Sequence, residues 1–261
     1  MKKQVLTDLF ERTVLNGNPV FDNHLVKEVC NKHGFVNPFD ATKLDNLSRF
    51  PEVMIKEDYF IIHIGGGRHK FVKGINKAFH VFEDIPSENV YDWKYRKSIL
   101  NELDTSESNI LSVASNQRII HDFLYEDIVA NPKVYNSRRT KSTFTYNIGE
   151  EIVEADKVQI EIDLTMEYHG QVTIFEGKNK FPKNFAVYQL YHPFLYFTEL
   201  RKEPQHQEVL SAIKLLNCCY VLRNKVGGNS VLRLFNYVFD NADDMASLRL
   251  QKAAQYNLVK R

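Results

Sequence analysis

Apolar positions along the first sixty residues follow helical spacing and then switch to the two-residue period of strands. Lys3–Leu15 carries a helical pattern that ends at Asn16-Gly17-Asn18-Pro19. A second helix is predicted from Asp22, as N-cap, to His33, with Gly34 in the C-terminal cap position. A third is predicted from Asp40 to Arg49, with Leu44 and Leu47 on its buried side. Two strands follow, Tyr59–Ile64 and Lys70–Val72, around the turn Gly65-Gly66-Gly67-Arg68-His69. Three helices and then a hairpin is the order of a winged helix, whose third helix would enter a major groove. A helical packing unit with a hairpin fits the same pattern. The three glycines make a turn and not a phosphate loop, because no Gly-Lys-Ser/Thr follows.

The polar stretch Asn101–Ser108 suggests a boundary between units 1–100 and 101–261. Beyond it, Ser106 is placed to cap one long helix, Glu107–Val129, in which Ile110, Ala114, Ile120, Leu124 and Ile128 recur at helical spacing. Strand patterns cover Ser142–Ile148, Val158–Tyr168 and Gln171–Lys178. An amphipathic helix with a kink at Pro193 is expected over Asn184–Arg201, then strands at Ile213–Leu222 and Val231–Phe239. The fold class is α/β, mixed: a mixed sheet flanked by helices, preceded by a small helical, winged-helix-like unit.

The segment Val158–Tyr168 alternates strictly, with apolar residues at even positions and Gln159, Glu161, Asp163, Thr165 and Glu167 at odd ones. If His169-Gly170 is a two-residue turn, opposed residues sum to 339. Asp163 then faces Glu176 and Glu161 faces Lys178. Adjacent carboxylates repel unless a cation neutralises them. Such a grouping suits a hard divalent ion, because Mg²⁺ takes one or two carboxylates, several waters and a phosphate oxygen. A solvated hairpin face with ordinary surface charges is the plainer alternative.

Ile162-Asp163 followed by Glu176-Gly177-Lys178 resembles the PD-(D/E)xK nuclease superfamily, and more narrowly the type II restriction endonucleases. The likeness covers residues 105–240 and implies a restriction-endonuclease-like core. Ile162 stands where the motif has proline. Carried over, the resemblance implies that Asp163 and Glu176 bind Mg²⁺ and that Lys178 lies beside the attacking water. It also implies a further acid from the preceding helix, Glu107 or alternatively Glu126, and a glutamine near the site, Gln189. The implied activity is Mg²⁺-dependent, sequence-specific cleavage of double-stranded DNA to 5′-phosphate and 3′-hydroxyl ends, with a homodimer as the assembly for a palindromic site. A structure-specific repair or recombination nuclease, and a non-catalytic winged-helix regulator, are the other readings.

Charge adds little to this picture, with 34 basic against 33 acidic residues and a formal net charge of +1. A polyanion partner is therefore sought in local clusters: Lys94-Tyr95-Arg96-Lys97, Arg138-Arg139-Thr140-Lys141, and Lys180 and Lys183 beside Lys178. Cys30, Cys218 and Cys219 form no disulfide framework and no zinc pattern, so they are expected as reduced thiols. The nine histidines show no metal-ligand spacing. The absence of a signal-like start or a long apolar run is read as a cytoplasmic protein without a membrane partner, and no nucleotide cofactor is implied.

Overall fold

A computed structural model describes residues 1–95, 98–99, 107–226 and 229–260. Helix α1 (Lys2–Thr13), strand β1 (Val20–Asp22) and helix α2 (Asn23–Lys32) open the chain. Asp22 caps α2 as expected, its carboxylate accepting from the N–H groups of His24 and Leu25, each at 3.0 Å. Where a third helix is predicted, only the end of α3 (Pro38–Ala41) and a 3₁₀ turn (Leu47–Arg49) form, and α4 (Glu52–Lys56) follows beyond it. Local polar side chains break it: Asn46 accepts from the N–H of Ser48 at 2.9 Å, and Asp45 is drawn off to the hydroxyl of Tyr188 at 3.0 Å. No helix therefore spans Asp40–Arg49. The hairpin of β2 (Tyr59–Gly65) and β3 (Arg68–Lys73) does form, and β1 adds to it in the order β1-β3-β2.

After α5 (Ile75–Ala78) come β4 (Phe79–Val81) and β5 (Val90–Tyr95). The expected long helix is two, α6 (Glu107–Asn116) and α7 (Ile119–Tyr125). The break lies at Arg118, whose φ is +62°, while the carbonyl of Gln117 accepts from the Trp93 indole at 2.8 Å. Ser106, the expected cap, and Arg96 and Lys97 of the first basic cluster lie outside the described residues.

The second half contains β6 (Lys133–Tyr135), β7 (Arg138–Ile148), β8 (Glu151–Ile162), β9 (Leu164–Tyr168), β10 (Gln171–Lys178) and β11 (Asn184–Ala186). Helices α8 (Tyr188–Leu200) and α9 (Pro204–Leu210) lead to β12 (Leu215–Val226), β13 (Asn229–Phe239) and β14 (Leu248–Lys260). Seven strands form one mixed sheet in the order β5-β14-β13-β12-β10-β9-β6, while β7 and β8 make a separate ribbon. The first residues of the expected helix 184–201 instead pair with β4, and β5 lies parallel to β14. Residues 79–95, placed by sequence in the first unit, thus belong to the second by pairing.

Strands β10 and β12 are parallel and joined by the crossover through α8, which packs Leu190, Tyr191 and Leu195 in the same core as Ile174, Cys218 and Tyr220. The other face of the sheet, with Phe175, Cys219 and Val221, is covered by Ile110, Ala114, Ile120 and Phe123 of α6 and α7. Helices thus flank both faces of a mixed sheet, which is a mixed α/β fold. The core on the α8 face is continuous with the N-terminal unit, where Val5, Phe10, Phe60 and Phe71 join it. The three cysteines are buried and free, and burial pushes the thiols of Cys218 and Cys219 far above their ordinary pKa. Among the described residues no helix is long and apolar enough to cross a membrane.

Candidate active site

The turn at His169-Gly170 sets the register of the site. Both residues have positive φ, +52° and +86°, the conformation of a two-residue hairpin turn. Pairing then runs from Tyr168↔Gln171 to Leu164↔Phe175, in the register expected. At Asp163 the strand bends. Alternation of burial holds from Val158 to Ile162 and shifts beyond it, so the odd-numbered residues do not share one face throughout. The bend sends 151–162 away to pair with β7, where Glu161 meets Arg139 at 2.8 Å and not Lys178.

Asp163 nevertheless reaches β10. Its Oδ2 accepts from the N–H of Gly177 at 3.0 Å, the amide between Glu176 and Lys178. Glu176, only 9% exposed, pairs through Oε1 with the Lys178 ammonium at 2.9 Å and accepts from Nε2 of Gln189 at 3.3 Å. Gln189 is oriented in turn by Tyr220, whose hydroxyl donates to Oε1 of Gln189 at 3.2 Å. Tyr220 stands directly across from Glu176 on β12. Nothing in the local pattern marks Tyr220, because its place follows from the parallel pairing of strands whose partners lie 44 residues apart in sequence.

Asp163, Glu176, Lys178 and Gln189 line one cleft of about 600 Å³. The N-terminal unit contributes a wall of the same cleft, with Asn23, Asp45, His63 and the hairpin tip Gly65–Arg68. That wall is held close: a Cβ on Gly65, whose φ is +81°, would collide with the carbonyl of Asp156, and Lys70 donates to the carbonyl of Ile152 at 3.0 Å. Burial holds the His69 ring neutral with a pKa of about 3, and that of His192, on α8, at about 4. Lys43, Arg68, Lys141 and Lys157 also line the cleft and make no ion pair with other described residues, leaving four cations beside the recessed carboxylates.

The other expected residues divide. Lys141 faces the cleft, but Arg138 lies over the Tyr196 ring at 5.2 Å, Arg139 is taken by Glu161, and Lys180 and Lys183 are not on the lining. Glu107 opens α6, but its side chain lies outside the described residues. Glu126 is 2.7 Å from Lys252 and lines a separate hollow with Trp93 and Tyr256, so it does not join the cleft. Among the described residues no group of three or more His, Cys, Asp and Glu side chains is arranged to hold a metal. The donor set present, two hard carboxylates at a solvent cleft, fits a Mg²⁺ ion that keeps several waters.

Fold and cleft together define a mixed α/β protein with an acid, acid, lysine cleft roofed by a small N-terminal unit. The chain belongs to the family described as a domain of unknown function, DUF6997, whose model matches residues 74–257, more than half of the chain. A second family model, described as a domain of unknown function, DUF6996, matches residues 3–71. The second match ends within β3 and the first begins just after it. No curated protein and no solved structure matches the chain.

Proposed function

We propose that the protein is a Mg²⁺-dependent DNA endonuclease that hydrolyses phosphodiesters in double-stranded DNA at specific sequences, leaving 5′-phosphate and 3′-hydroxyl ends. One observation carries the reading: the Asp163 carboxylate is tied to the amide between Glu176 and Lys178, and all three side chains line one cleft together with four cations that make no ion pair with other described residues. Asp163 and Glu176 would hold the metal. When bound, Mg²⁺ supplies polarisation of the phosphoryl oxygen and a coordinated water of lowered pKa. Lys178, whose ammonium lies 2.9 Å from Glu176, would stabilise the charge that develops on the phosphoryl oxygens. Gln189, fixed by Tyr220, presents its NH₂ to Glu176 and holds that carboxylate in one orientation. Lys43, Arg68, Lys141 and Lys157 bind the phosphate backbone on either side. Cutting both strands of a palindrome calls for two protomers.

The test is digestion of phage and plasmid DNA by purified protein, with and without Mg²⁺. Discrete, Mg²⁺-dependent bands are the expected result. Lys178→Ala should lower the cleavage rate by about 10²-fold or more while DNA binding persists. Wild-type protein that leaves every DNA intact in Mg²⁺, or a Lys178→Ala variant with undiminished turnover, rejects the reading.

A further inference from the structure

Beside the cations of the cleft, His63 and Asp45 form a patch that is not suited to phosphate. His63 is an exposed residue on the cleft lining. It packs edge to face on the buried His69 ring, with centroids 4.5 Å apart at 82°, and its Nε2 lies 3.4 Å from the carbonyl of Thr42. Desolvation holds its pKa below the ordinary value, assisted by Lys43 and opposed by the Thr42 carbonyl and the Asp45 charge. It is therefore a neutral, flat, rigidly backed ring, suited to stacking and not to binding an anion.

Asp45 lies near enough for its charge to act on His63, and it lines the same cleft. Its Oδ1 accepts from the Tyr188 hydroxyl at 3.0 Å. Tyr188 is followed in the chain by Gln189, which bonds Glu176. One residue step on α8 thus separates the ring-and-carboxylate wall from the proposed cleavage site. A carboxylate there repels phosphate but accepts hydrogen bonds from the amino groups of adenine, cytosine or guanine. The cleft volume of about 600 Å³ is in the range of small-molecule sites, ~300–1,000 Å³, and suits one nucleotide turned out of its stack better than a duplex.

We propose that this wall is a nucleobase subsite, in which the base of the nucleotide next to the scissile phosphate leaves the helix, stacks on His63 and donates its exocyclic amino group to Asp45. The proposal rests on the nuclease reading and adds a chemical preference to it: an amino-bearing base at one position beside the cut, read by the N-terminal unit.

Two substitutions separate stacking from support of the fold. His63→Phe retains a ring, whereas His63→Gln retains a polar group that can reach the Thr42 carbonyl. On an oligonucleotide duplex carrying the mapped cut site, His63→Gln should lose about 10-fold or more in affinity, and His63→Phe should stay within about threefold of wild type. With 2-aminopurine at each nucleotide flanking the cut, one position should brighten on binding of the Asp163→Asn protein, as unstacking requires. Asp45→Asn, which keeps an acceptor for Tyr188, should relax the preference for an amino-bearing base at that position by about 10-fold. Cleavage by wild type combined with full affinity of His63→Gln, or loss in His63→Phe alone, overturns the subsite and leaves the nuclease reading standing. Wild-type protein that cuts no DNA overturns both.

Discussion

Substitution of Asp163 separates its structural bond from its proposed chemical role. In the folded chain its carboxylate accepts from the Gly177 N–H at 3.0 Å, closing the bend between β8 and β9 onto β10. A hydrogen bond to a charged group contributes about 1.5–3 kcal/mol, and one between neutral groups about 0.5–1.5 kcal/mol. Asp163→Asn keeps a neutral acceptor and should cost about 1 kcal/mol. Asp163→Ala leaves the N–H without this acceptor and should cost about 2 kcal/mol. For a chain of this size 1 kcal/mol moves Tm by about 2–4 °C. Melting followed by circular dichroism should therefore give a drop of about 2–4 °C for Asn and about 4–8 °C for Ala. Plasmid cleavage should fall by at least about 10²-fold in both variants, because both remove a carboxylate from the proposed metal site. The two readouts must diverge: nearly native stability with lost cleavage in Asp163→Asn. Wild-type turnover in Asp163→Asn would refute the metal role, and an unshifted Tm in Asp163→Ala would refute the bond to Gly177 as the clasp of the bend.

Two further outcomes can be measured independently. Replacing Arg68, Lys141 or Lys157 singly by Ala should reduce the slope of log affinity against log salt by about 1 each, whereas Arg139→Ala, whose guanidinium is already paired with Glu161, should change it less. Fluorescence titration of DNA at several salt concentrations gives those slopes, and equal effects at all four positions would contradict the assignment. In the N-terminal unit, burial raises the pKa of Asp8, but hydrogen bonds from Lys32, His33 and Arg12 together outweigh it and hold the carboxyl at about 2. Because the folded pKa lies below the ordinary 3.8, its contribution is present in full above pH 4 and is lost as pH falls toward 2. We expect about 1–2 kcal/mol after allowance for solvent screening, so the acid-induced fall in Tm over that window should be smaller in Asp8→Asn.

Much of the proposed site can be read along the chain because its parts are local. The alternation from Val158 to Ile162, the positive-φ turn at His169-Gly170 and the two-residue step from Glu176 to Lys178 depend on near neighbours, and together they set which residues meet across the hairpin. The same local view fails at Asp163, since a period of two does not reveal that the strand leaves one sheet for a ribbon with β7. It fails again at Asp40–Arg49, where helical spacing of Leu44 and Leu47 is overridden by bonds of Asp45 to Tyr188 and of Leu47 to Asn184, both distant in sequence.

Composition and periodicity were thus enough to decide a mixed α/β class, the hairpin register and the acid, acid, lysine grouping, since each follows from backbone geometry within a short segment. Tertiary packing alone decided that Tyr220 orients Gln189, that β5 and β14 complete the sheet, and that His63 and Asp45 line one cleft with the carboxylates. Those meetings join segments far apart in sequence, and burial of one continuous core, acting over the whole chain, is the force that brings them together.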